Sequence, residues 1–143
     1  MQKEYRFYEE EGASIVVGHH THCISGYEFH NGVPIFYSLG NLFFPWEGKP
    51  DFWYEGMLLK LNISIENKKI DFELIPYFQN KKDIEINIMN KRDKESFFEK
   101  INNINEIIND KPLLQNEWEQ FVGKMAIGYF SNIVIQSNLL RKI

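Results

Sequence analysis

The sequence predicts a mixed α/β (α+β) fold, and three observations carry that reading. The apolar run Ala13-Ser-Ile-Val-Val17 stops at Gly18, as a strand covered on both faces does. Residues 57–78 place apolar side chains at every second position on either side of a polar turn. Beyond Asp93 the apolar spacing changes to steps of three and four. A period of two belongs to a half-buried strand and a period near 3.6 to an amphipathic helix.

Gln2 to Glu11 is polar, with Tyr5 and Tyr8 three apart, and ends at Gly12, the pattern of a helix with a glycine stop. The strand Ala13–Val17 follows. Gly26–His30 and Val33–Ser38 flank Asn31-Gly32, and Asn-Gly predicts a tight hairpin because both residues tolerate positive φ. Gly40-Asn41 marks a second turn. Leu42 to Tyr54, aromatic and rich in Pro and Gly, reads as an irregular loop. Met57, Leu59, Leu61, Ile63 and Ile65 share one face, then Glu66–Lys69 turns the chain into Ile70, Phe72, Leu74 and Phe78. Ile84, Ile86 and Ile88 add a short third strand. Phe97, Ile101, Ile104 and Ile108 make a helical stripe with Asp93 as its cap. Leu114, Trp118, Phe121, Met125 and Tyr129 make another beyond Pro112, and both stripes read as core faces.

The 143 residues suffice for one ordinary domain, and 43% hydrophobic with 25% charged content excludes a disordered chain. A net charge of −4 argues against a nucleic-acid partner, whose phosphates need a basic face. The pairs Lys68-Lys69 and Lys81-Lys82 read as solvated turns. Cys23 is the sole cysteine, so no intrachain disulfide forms. No apolar run approaches the ~20 residues of a membrane helix, and no signal peptide opens the chain.

Three of the four histidines fall in Gly18-His-His-Thr-His-Cys23, just past the carboxyl end of the first strand. Open α/β sheets bind ligands at that edge. Neutral imidazole is a common metal ligand, and His-x-His on an anchored loop lets alternate rings converge on one ion or two. The competing reading is a surface loop that holds nothing. Imidazoles alone do not complete a catalytic metal site, and no carboxylate stands close by in sequence.

The stretch GASIVVGHHTHCISGYEFHNGVPIFYSLGNLFF resembles the C-terminal part of the bacterial CapA proteins of capsule and poly-γ-glutamate synthesis, members of the calcineurin-like metallophosphoesterase superfamily. The GHHxH and YSLGN elements at this separation carry the resemblance, which continues more weakly through LIPYF and EWEQF. It implies part of an αββα sandwich over residues 1–92, with a helical pair over 93–143 packed on it. It also implies a site for divalent metal (Mn, Zn or Fe) at the loop edge and a cell-envelope location. The family's histidines fall on His19, His20 and His22. Because the superfamily's usual form is Gly-His-x-His, His22 is a ligand on either alignment while His19 and His20 compete for the other place. Glu28 and Asn41 match family positions at the same edge. Glu28 is read either as a support for the ligands or as an exposed strand residue, and Asn41 either as a support or as a turn former. His30 is read as exposed.

The superfamily's other ligands lie in Asp-x-His, Gly-Asp and Asn-His elements N-terminal to this region, and none precedes Gly18. The expectation is therefore a C-terminal portion whose partner is the remaining half of its own domain, with Ile15–Val17 left at an open sheet edge. Two functions follow. One is the histidine part of a metal-dependent phosphoesterase-type site, inactive without the rest. The other is a non-catalytic assembly subunit among capsule synthesis proteins, with Phe43–Trp46 and Phe52–Tyr54 as a docking patch; the alternative for those rings is a core plug.

Overall fold

The structure is a computed structural model that describes residues 1–44, 46–67 and 69–140, with side chains to Tyr129. It is α+β, as the periodicities require. Two compact units divide it, Met1–Glu106 and Ile107–Ile143.

In the first unit, helix α1 (Gln2–Glu10) ends as the sequence predicts. Gly12 adopts φ 101°, its N–H donates to Glu9 O, and that of Ala13 donates to Tyr8 O. Two otherwise orphaned carbonyls are satisfied by this left-handed stop. Strand β1 (Val16–Val17) runs parallel to β3 (Val33–Phe36), which pairs antiparallel with β2 (Tyr27–His30). The Asn31-Gly32 hairpin forms with φ 48° and 84°. In the order β1-β3-β2 the first strand is an edge. Its expected two-sided cover is not found: Val16 is buried but Val17 is 40% exposed, with β3 and α1 packed against the strand.

Strands β4 (Glu55–Ser64), β5 (Lys69–Gln79) and β6 (Ile86–Ile88) form the second, antiparallel sheet. Phe72 on β5 meets Phe36 edge-on at 4.9 Å and Tyr27 at 5.5 Å, tying the two sheets together. Near the far end of the β4–β5 ribbon Ile63 and Ile65 are exposed despite their place in the alternation. Lys68 lies outside the described residues, and Lys81 is exposed and pairs with Asp51.

Helix α2 (Lys91–Asn109) buries Phe97 and Ile101 with Ile24, Met57 and Met89, in contact with Leu39, Leu74 and Tyr27. Those contacts put the start of the helix inside the first unit, which ends at Glu106. The cap also differs from expectation. Asn90 Oδ1 accepts from the Asp93 N–H, while Asn90 Nδ2 donates back to the Asp93 carboxylate. Asp93 therefore sits one turn in, near the positive end of the helix.

In the second unit, Asp110 caps helix α3 (Lys111–Leu140) through the Leu113 N–H, with Pro112 in the first turn where its missing donor costs nothing. The predicted core stripe is not a core face. Trp118, Phe121, Met125 and Tyr129 are exposed and Leu114 is half-buried. No helix among the described residues is long and apolar enough to cross a membrane.

Candidate functional site: a histidine held by the loop that follows it

The chain leaves β1 at Gly18, whose N–H donates to Phe36 O at 2.7 Å. A Cβ there would overlap the Tyr5 ring, which stacks on Tyr37 at 5.5 Å, so α1 closes on the strand only because this position is glycine. The loop beyond is folded tightly. His20 adopts φ 94° and His22 φ 60°, left-handed conformations that few non-glycine residues occupy. Such backbone persists only where surrounding bonds hold it.

Those bonds come from Asn41. Its Nδ2 donates to His22 O at 2.9 Å and to Trp53 O at 3.3 Å. Carbonyl oxygens only accept, so the amide nitrogen must face them and Oδ1 must face the ring. Asn41 Oδ1 lies 2.8 Å from His22 Nδ1 and can only accept, so the imidazole proton resides on Nδ1. Nε2 then carries the lone pair. Asn41 thus bonds both the ring and the backbone carbonyl of His22, and Nε2 is the ring nitrogen turned away from it.

Aromatic rings complete the enclosure. His22 stacks on Trp53 at 5.1 Å and 19°, and Phe44 packs at 5.5 Å. Lys49 Nζ lies over both Trp46 and Trp53, at 4.5 and 4.7 Å. Asp51–Tyr54 forms a 3-10 turn inside the segment expected to be irregular. The core-plug reading of these rings does not hold. Tyr54 is buried, but Leu42, Phe44, Trp46 and Phe52 are exposed around the histidine; Pro45 lies outside the described residues.

The three histidines are not gathered at one point. His20 and His22 are neighbours, with ring centroids 6.3 Å apart, whereas His19 lines an open groove between α1 and β1 with Tyr5, Tyr8 and Val17. Among the described residues no three of His, Cys, Asp and Glu stand together as a metal site. By themselves the described residues do not make up a metal centre.

Glu28 lies elsewhere and is not an exposed strand residue, being 3% exposed. It accepts from Arg6 at 2.8 and 2.6 Å, from the Tyr37 hydroxyl at 2.6 Å and from Gln2 at 3.3 Å. None of its hydrogen bonds reaches a histidine. Burial alone would push the carboxyl up, but the bonds from Arg6 and Tyr37 outweigh it and hold the group below the ordinary carboxylate range. The hydrogen bond to Glu28 likewise strengthens the proton hold of Arg6. Burial, with Glu28 close by, pushes the Tyr37 phenol far above its usual value. The group fastens α1 to the sheet. His30 is only partly exposed, 3.6 Å from the Glu9 carboxylate.

Sequence reading missed Gln79 and Tyr77. The Tyr77 hydroxyl donates to Asn41 O at 2.8 Å, and its ring lies over Gly56, where a Cβ would overlap it. Burial pushes this phenol up to about 12. Gln79 Nε2 donates to Asn41 O at 3.0 Å. A polar residue in a strand of alternating apolar residues was the available signal for Gln79.

A family described as bacterial capsule synthesis protein PGA_cap matches residues 2–45. The chain is also similar to the PGA biosynthesis protein CapA of Bacillus subtilis (strain 168), 51% identical over 39 residues. That match covers 27% of this chain and 10% of the relative, so the chain spans a small part of the curated protein it matches. The stretch matched by the family, residues 2–45, contains the histidine loop, Glu28 and Asn41. Over that short stretch the chain is similar to bacterial capsule synthesis proteins.

Proposed function

We propose that the chain serves capsule or poly-γ-glutamate biosynthesis, and that its loop supplies the histidine part of a metal-dependent phosphoesterase-type site. The observation that carries the reading is His22: its Nδ1 is committed to Asn41 and its Nε2 is left with a lone pair beside the ring of His20. His19, on the groove side, is the weaker candidate of the two alternatives. Two imidazoles without a carboxylate hold a transition metal only weakly, so the remaining ligands come from further elements of the same domain. The groove along the open edge of β1, about 530 Å³ and ending at His19, offers such elements a place beside the histidine loop. Titration calorimetry with Zn²⁺ or Mn²⁺ tests this. Weak binding should vanish in His22→Ala, fall in His20→Ala and survive His19→Ala. Equal binding by His22→Ala and the parent chain would overturn the assignment.

The exposed rings of Phe44, Trp46 and Phe52 support a second reading, a non-catalytic assembly subunit that docks on other capsule synthesis proteins through this rim. Under that reading Trp46→Ala weakens association with those proteins, while His22→Ala leaves it unchanged.

A further inference from the structure

Each group that fixes the His22 ring, His20 apart, has its backbone bonded to one side chain. The ring is held by the Asn41 amide, the Phe44 ring and the Trp53 ring. Gln79 Nε2 donates to Asn41 O at 3.0 Å and to Trp53 O at 3.2 Å, and Gln79 Oε1 accepts from the Phe44 N–H at 2.6 Å. Two carbonyls need donors and one N–H needs an acceptor, which only a primary amide in this orientation supplies. Gln79 is 4% exposed, so water does not stand in for a lost bond without rearrangement. It ends β5, in register with the three-stranded sheet, and so ties the loop to the most extensively paired part of the chain.

From this convergence we propose that Gln79 is the positioning residue for His22: it holds Asn41, Phe44 and Trp53 in the arrangement that keeps the imidazole proton on Nδ1 and Nε2 open. It touches no reacting atom. The inference deepens the metal reading above and rests on it for its functional meaning, but the arrangement itself is measurable without metal. Tyr77 shares only one of the three tasks, through Asn41 O, and so cannot replace it.

Gln79→Glu tests the assignment, because a carboxylate keeps the length and one acceptor while losing both donors and facing two carbonyl oxygens. Gln79→Met, which keeps the length and loses all three bonds, is the second variant. The readout is the pair of ¹⁵N resonances of the His22 ring in the full, metal-free chain, at a pH where the imidazole is neutral. The parent should show the Nδ1–H tautomer. Each folded variant should lose that preference several-fold toward the Nε2–H form that imidazole favours in water, while the His30 signals stay put. A parent chain in the Nε2–H form overturns the inference whatever the variants do. A folded variant that keeps the parent tautomer overturns it too. If the tautomer behaves as stated but His22→Ala leaves Zn²⁺ or Mn²⁺ binding intact, the metal reading fails and the positioning role stands.

Discussion

Removing Arg6 should reverse the pH response of the carboxylate it covers. In Arg6→Ala, Glu28 keeps the Tyr37 and Gln2 bonds but loses two charge-assisted bonds, at 2.8 and 2.6 Å. Such bonds contribute about 1.5–3 kcal/mol each, which gives ~3–6 kcal/mol before correction. The Arg6 side chain is 35% exposed, against 2% for Glu28, so solvent already screens the pair and water refills part of the gap. Halving the sum gives a loss of ~1.5–3 kcal/mol near neutral pH, below the ~3–5 of a fully buried broken pair. The sign with pH follows from the direction of the shift. In the parent the folded carboxyl lies below its unfolded value, so its stabilisation is present above the unfolded pKa of about 4.3 and is lost as pH falls through the folded value. In the variant burial is the dominant influence, the folded value rises, and protonation becomes favourable to the native state. The difference between the two chains should therefore be largest at about pH 7 and shrink steadily below about pH 5. Urea unfolding at a series of pH values measures it. A difference that stays constant down to about pH 3.5, or that is under about 0.5 kcal/mol at neutrality, would refute the account of Glu28.

Three other outcomes are expected. Gly40→Ala should cost ~1–3 kcal/mol in thermal or denaturant unfolding, since Gly40 has φ 80° and an added Cβ would stand 2.8 Å from Glu55 O and 3.0 Å from Ile24. Gly48→Ala, at φ 76° with open space around it, should cost less. The chain by itself should show no metal-dependent hydrolysis of an aryl phosphate, because two ions ~3.5–4 Å apart need carboxylates that the loop does not gather; turnover lost with His22→Ala would contradict this. Hydrogen exchange should be fast at Ile15–Val17, along an open strand edge, and slow at Leu58–Ile63 in the ten-residue pairing of β4 with β5. Equal protection of the two segments would mean that the edge is covered in solution.

The strands and the first two helices were legible because each writes its period and its stops locally: Gly12, Asn31-Gly32 and the alternation from Met57 to Phe78 need no knowledge of the rest. The histidine loop was legible as a cluster of one residue type. What sequence could not supply was direction. His19 and His20 compete on paper for one place beside His22, yet the loop, with left-handed φ values at His20 and His22, sets those two rings as neighbours and leaves His19 on the groove. Glu28 stayed open between a support for the ligands and an exposed strand residue because nothing in its own strand announces that Arg6 and Tyr37 will meet it. The α3 stripe had the right period, but period says only that a helix has an apolar face, not that anything in the chain covers it. Gln79 stood out only as a polar residue in its strand, and its role could not be read for a related reason: its three partners are 26 to 38 positions away along the chain.

That separation bears on how far the histidine motif can be treated as portable. The segment recognisable as capsule-synthesis sequence stops at residue 45, whereas Trp53, Tyr77 and Gln79 all lie beyond it. A graft of residues 2–45 onto another scaffold would carry every loop histidine and Asn41 but none of the strand that holds Asn41 still. Its imidazoles would sample both tautomers and several orientations, as short histidine peptides do. A relative that keeps GHHTHC and YSLGN but has lost a hydrogen-bonding amide at the end of the long hairpin should hold the histidine matching His22 in no single tautomer, even though its motif reads as intact.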